Sequence, residues 1–136
     1  MGRVDSAGRV MKAKTIAYWA TTVILVASLI AGGAAQLVRR AANVQGVTHL
    51  GYPAYVTTIL GFWKVLGTIV LLAPRFPRLK EWVYAGVFFE LTGAAASYAF
   101  HGDSIGRMIG PLALAVLALV SWALRPPART VTVATT

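Results

Sequence analysis

Two apolar runs joined by a basic connector decide the fold: Val56–Ala73 (VTTILGFWKVLGTIVLLA), Pro74–Lys80 (PRFPRLK) and Trp82–Phe100 (WVYAGVFFELTGAAASYAF). Each run has the length of a membrane span, and each holds one charge, Lys64 and Glu90. Lys64 lies ten residues before Pro74, and Glu90 lies ten residues after Lys80. At a helical rise of ~1.5 Å per residue both charges lie ~15 Å from the connector, about the middle of a ~30 Å hydrocarbon layer. Two helices joined this tightly are antiparallel neighbours, so a cation and an anion meet at one depth. A lone charge there costs at least ~2.5–3.5 kcal/mol on insertion scales. The expected reading is an intramembrane Lys64–Glu90 ion pair, enclosed by the remaining helices.

Composition supports that environment. The chain has 136 residues, 57% of them hydrophobic and 12% charged, against about 25% charged in a soluble domain. A net charge of +9 invites a nucleic-acid reading. The basic residues, however, sit at the ends of apolar runs and form no stripe with interleaved aromatics, so nucleic acid is not an expected partner. The absence of cysteine excludes disulfides, thiol redox chemistry, Fe–S ligation and Cys-zinc sites.

Outward from the central runs, residues 1–14 (MGRVDSAGRVMKAK) are basic and glycine-containing and read as a tail that is disordered at its start. The first apolar run, Thr15–Leu37, also fits a signal peptide, with AGGAAQ as a cleavage region. Its uninterrupted length from Ile16 to Ala35 favours a retained span. Gly32-Gly33 reads as a point of close packing or loosening. Arg39–Pro53 is the longest loop, and Val38–Gln45 within it is a candidate surface helix. Pro53 suits the first turn of the second span. Pro74 and Pro77 stop that span and bracket the connector. A fourth run from about Met108 to Leu124 has about 17 residues, the lower limit for crossing, and Pro126-Pro127 ends it.

The expected architecture is therefore an all-α, integral membrane four-helix bundle. Its spans cover approximately 15–37, 54–73, 80–101 and 108–124 within a membrane domain of 15–125, followed by a disordered tail, 126–136. Four spans put both termini on one side, with Arg3, Arg9, Lys12, Lys14, Arg75, Arg78, Lys80, Arg125 and Arg129. Only Arg39, Arg40 and Arg107 lie opposite, and this bias makes both termini cytoplasmic. The lipid bilayer is the expected partner.

Helical spacing also aligns the polar residues. Gly86, Glu90, Gly93, Ser97 and His101 share one face of the third span, and Thr57, Gly61, Lys64 and Thr68 share one face of the second. Two readings stay open: packing faces around a self-neutralised pair, or a polar cavity for a proton or polar headgroup. Trp63, with Phe62, Phe88 and Phe89, offers an aromatic lining, although such residues more often face lipid or core. The candidate pocket is Tyr52, Gly61, Trp63, Gly93, Ser97, Tyr98, His49 and His101 around Lys64 and Glu90. His49, His101 and Asp103 gather toward the non-cytoplasmic face, but two histidines without regular spacing do not define a metal or haem site, so no metal is expected. No nucleotide loop, HExxH motif or Ser/His/Asp constellation is present, so no catalytic residue is named.

The stretches HLGYP, LGFWKVLGTIVLLAPRFPRLKEWVYAG and FFELTGAAASY resemble the DoxX-like family of small bacterial four-helix membrane proteins. The resemblance spans roughly Ile16 to Arg125 and is strongest over Gly61–Gly93. It marks Lys64 and the acidic residue at Glu90 as family features. The family often has His where this chain has Tyr98, so a role resting on that His holds here only if His101, one turn on, substitutes for it. The resemblance implies a location in the bacterial inner membrane. It also implies a non-catalytic accessory role beside a membrane oxidoreductase, with a quinone as the associated lipophilic molecule. A small proton-coupled transporter and a quinone-modifying enzyme are the alternatives. Lys64 holding the carboxylate weighs against the first, and the missing cysteines weigh against the second.

Overall fold

The computed structural model describes residues 2–131. Within them the chain is all-α, with five helices: α1 (Gly2–Leu37), α2 (Ala41–His49), α3 (Tyr55–Leu72), α4 (Pro77–His101) and α5 (Ile105–Ala123). A 3-10 turn follows at Pro127–Arg129. By length and composition α1, α3 and α5 can each cross a membrane. The 25-residue α4 is also long enough, but Arg78, Lys80, Glu81 and Glu90 dilute its apolar character.

Helix boundaries follow local chemistry. Proline occupies the first position of α4, where its missing N–H leaves no helical bond unmade. The last turn of α4 closes on Gly102, whose φ of 83° is left-handed. Gly102 donates to Ala99 and Asp103 donates to Tyr98, a Schellman arrangement that satisfies the terminal carbonyls. That turn aims Asp103 back over the end of the bundle.

Three expectations are corrected. Residues 2–14, expected to start disordered, are helical and continuous with the span. They contain no proline and many good helix formers, and extending an existing helix avoids the cost of nucleating one. The surface helix does not continue from Val38: the chain breaks at Arg39 (φ 53°) and restarts at Ala41. The start of the C-terminal segment is also ordered. Arg129 donates from Nη1 to the Leu71 carbonyl at 3.0 Å and stacks over Trp19, 5.0 Å from the ring centroid. Residues 132–136 lie outside the described residues.

α1 packs along α3 and α5, and α5 packs along α4, whereas α3 and α4 touch sparsely despite their short connector. The apolar core comprises Leu25, Val26 and Leu29 of α1, Leu71 of α3, Tyr84, Val87 and Leu91 of α4, and Ala115 and Ala118 of α5. Beside it, buried hydroxyls satisfy one another: Ser121 Oγ lies 2.7 Å from Thr22 Oγ1 and 2.8 Å from the Tyr84 hydroxyl. Many large apolar side chains point outward, among them Ile16, Phe62, Ile69, Trp82, Phe100 and Ile109. An apolar exterior around a small core is the pattern that lipid permits and water disfavours.

Candidate functional site

The site begins at the seam between α1 and α3. A Cβ on Gly61 would lie 2.8 Å from the Gly33 carbonyl oxygen and 2.9 Å from the Leu37 nitrogen. Only glycine allows the two backbones to approach so closely. A Cβ on Gly33 would in turn meet Lys64 Cβ at 3.0 Å, so the Lys64 stem runs flat against α1. Thr57, Gly61 and Thr68 are buried on this same face of α3, and Thr68 Oγ1 donates to the Lys64 carbonyl at 2.8 Å. The polar face of α3 thus looks toward α1, and Lys64 reaches across to α4.

Its ammonium lies 2.8 Å from Glu90 Oε1 and donates to Gln36 Oε1 at 3.0 Å. The two ionic side chains are 14% and 25% exposed, which is enough for a ligand to touch them. The ammonium's described partners are Glu90 and Gln36, two for a group with three N–H donors, so it has capacity for one further acceptor.

Two cavities meet at this pair. A groove of about 460 Å³ opens between α3 and α4 and is walled by Leu60, Trp63, Leu66, Trp82, Val83 and Gly86, with Lys64 and Glu90 at one end. A vestibule of about 500 Å³ lies on the other side of the pair, lined by Gln36, Tyr52, Phe89, Gly93, Ser97, Tyr98 and Pro111 among others. The Tyr52 hydroxyl and Ser97 Oγ bond across it at 3.0 Å. The groove is nearly all apolar, and the vestibule carries the amide and hydroxyls. Lys64 and Glu90 line both.

The residues singled out from sequence therefore separate. Trp63 walls the groove. Tyr52, Gly93, Ser97 and Tyr98 line the vestibule. Gly61 lines neither cavity, because it is buried against α1. Phe89 borders the vestibule, Phe88 packs on the core and Phe62 faces outward. His49 and His101 lie beyond both cavities, with ring centroids 4.3 Å apart, and His49 Nε2 is 3.0 Å from each Asp103 carboxylate oxygen.

Sequence reading missed several participants. Gln36 follows Gly33 by one turn, so the spacing that brings Gly33 to α3 also brings Gln36 to Lys64. Lys80, counted among the basic residues of the cytoplasmic side, is 1% exposed and donates to the Ala73 and Arg75 carbonyls, capping the end of α3. Glu81 accepts from Trp122 Nε1 at 2.7 Å and pairs with Arg125, tying α4 to the end of α5. No periodic signal marks the Lys80 and Glu81 contacts, which depend on how the ends of the helices pack.

The apolar helices and their outward-facing side chains define a multi-pass helical membrane protein. The chain belongs to the DoxX-like family, whose model matches residues 20–121 and so includes the pair and both cavities. No curated protein and no solved structure matches it.

Proposed function

We propose that the chain is a four-span inner-membrane protein of bacterial type, with both termini cytoplasmic, that holds a lipophilic quinone-type molecule beside Lys64 and Glu90 as a non-catalytic accessory to a membrane redox system. The observation that carries this reading is the position of the ion pair between an apolar groove and a vestibule that adds the Gln36 amide and the Tyr52 and Ser97 hydroxyls. A quinone has matching halves: an apolar tail suits the α3–α4 groove, and a ring carbonyl suits the Lys64 ammonium as a donor. Trp63 supplies a flat aromatic wall at that depth. The accessory role leans on the sequence, which offers no cysteine and no catalytic motif.

As a fourth span, the 25 residues of α4 reach about 37 Å, longer than a ~30 Å hydrocarbon layer. The nine-to-three basic bias supports the orientation. A reporter fused after Lys80 should read cytoplasmic and one after Gln45 external; an external reading at Lys80 would remove the four-span map.

Tryptophan fluorescence tests the ligand. A short-chain benzoquinone added to the detergent-purified protein should quench emission saturably; Trp63→Phe and Trp82→Phe should each remove part of that quenching, and the two together most of it, because both indoles wall the groove. Trp19→Phe and Trp122→Phe should leave it, since both indoles lie outside the groove. Quenching that rises linearly without saturation, as from simple partition into the micelle, would defeat the reading. One observation favours a small proton-coupled transporter instead: the groove and the vestibule meet at a titratable pair. That reading requires Glu90 to let go of Lys64, and the 2.8 Å contact weighs against it.

A further inference from the structure

We propose that His49, His101 and Asp103 form a binding site for one divalent transition-metal ion of the zinc class, at the end of the bundle where α2 meets the α4–α5 turn. The three residues are far apart in sequence, and three separate features of the fold bring them together. His49 is the last residue of α2, and His101 is the last residue of α4. Gly102, in its left-handed conformation, turns the chain so that Asp103 faces back toward both rings. One ligand atom from each residue then lies within 4.8 Å of the other two.

The donor set is chemically specific. Two imidazole nitrogens and one carboxylate suit zinc and its neighbours, and leave a position open for water or a further ligand. Metal–donor bonds of ~2.0–2.1 Å at tetrahedral angles place donors about 3.3 Å apart, so small side-chain rotations close the site. His49 Nε2 already sits 3.0 Å from both Asp103 oxygens. A single N–H held between two oxygens is a poorly directed hydrogen bond, whereas a cation in that place draws on the carboxylate and both rings at once. The imidazole edge contact, 4.3 Å between centroids, puts a second imidazole beside the first.

Arg107 is the competing group. Its Nη1 lies 3.6 Å from Asp103 Oδ1, and its side chain is 55% exposed, so it can swing away when a cation arrives. A bound ion would tie α2 to the α4–α5 turn. Val47, Leu50 and Tyr52, which flank His49 in sequence, and Ser97, one turn before His101, all line the vestibule. The clasp would therefore lie at the vestibule's edge. The site needs only the fold and stands whether or not a quinone occupies the groove.

The test uses the full chain, purified in detergent through a tag without histidine and titrated with Zn²⁺ by calorimetry and with Co²⁺ by visible absorption. One saturable Zn²⁺ per chain is expected, with Co²⁺ bands of tetrahedral intensity. Even outer-shell partners are worth about 10- to 100-fold in metal affinity, so His101→Ala and Asp103→Asn should each weaken binding at least tenfold. Arg107→Ala should bind as tightly as the unmodified protein or more tightly. Absence of a saturable 1:1 site in the unmodified protein overturns the proposal whatever the variants do. Undiminished affinity in folded His101→Ala and Asp103→Asn overturns it equally, because the metal would then be bound elsewhere.

Discussion

Lys64→Met and Glu90→Gln should each lower the thermal midpoint of the detergent-purified protein sharply, and the double variant should recover most of the loss. Removing one partner of a buried pair typically costs about 3–5 kcal/mol, because the other charge is left without compensation. Replacing both removes the uncompensated charge as well as the attraction. The two single losses should also differ. Lys64 keeps the Gln36 carbonyl oxygen as an acceptor when Glu90 becomes Gln. Glu90 has no described donor other than Lys64, so Lys64→Met should be the more damaging change. Single losses that simply add in the double variant would show that the two residues do not stabilise one another.

Gly61→Ala should be the most damaging single methyl addition in the bundle. Its new Cβ would fall 2.8 Å from the Gly33 oxygen, 2.9 Å from the Leu37 nitrogen and 3.0 Å from Gln36 Cβ. Two of these atoms are backbone and cannot rotate away, so α1 and α3 must separate. Overpacking of this kind costs about 1–3 kcal/mol and sometimes more, and the separation would also pull Gln36 from Lys64. Gly32→Ala is the matched control, because a Cβ there meets nothing within 4 Å. It should be neutral, or stabilising by up to about 1 kcal/mol through helix propensity. Equal midpoints for Gly61→Ala and Gly32→Ala would mean that α1 and α3 do not pack through these glycines.

The contrast between these glycines shows what sequence can reveal. The meeting of Lys64 and Glu90 was legible because a proline-bracketed connector fixes a common origin from which depth can be counted on both helices. The α4 face was legible for a related reason: the spacing from Gly86 to Ser97 is enough to align one helix. The face that Gly61 occupies on α3 was also readable, but the helix it meets was not. Periodicity says which residues share a side and not which neighbour that side packs against. For that reason the spacing groups Gly61 with the pocket, whereas it belongs to the α1 seam. The burial of Lys80 was hidden for another reason. A lysine in a basic connector reads as solvated, and only the three-dimensional path of residues 73–75 supplies the carbonyls that hold it. His49 and His101, 52 residues apart, come together because α2 and α4 end at the same corner of the bundle, and neither has a period to read.

The double variant also permits the most direct measurement of the central claim, that the Lys64–Glu90 pair is the polar contact of a bound lipophilic molecule. Saturable quenching of the groove tryptophans, Trp63 and Trp82, by a short-chain benzoquinone should be compared in the unmodified protein and in folded Lys64→Met/Glu90→Gln. A hydrogen bond from a charged donor contributes about 1.5–3 kcal/mol, so affinity should fall about 10- to 100-fold in the double variant while its thermal midpoint stays close to the original. Undiminished affinity in a stable double variant would contradict the claim: the pair would then serve only to hold α3 and α4 together, and the quinone would owe nothing to it.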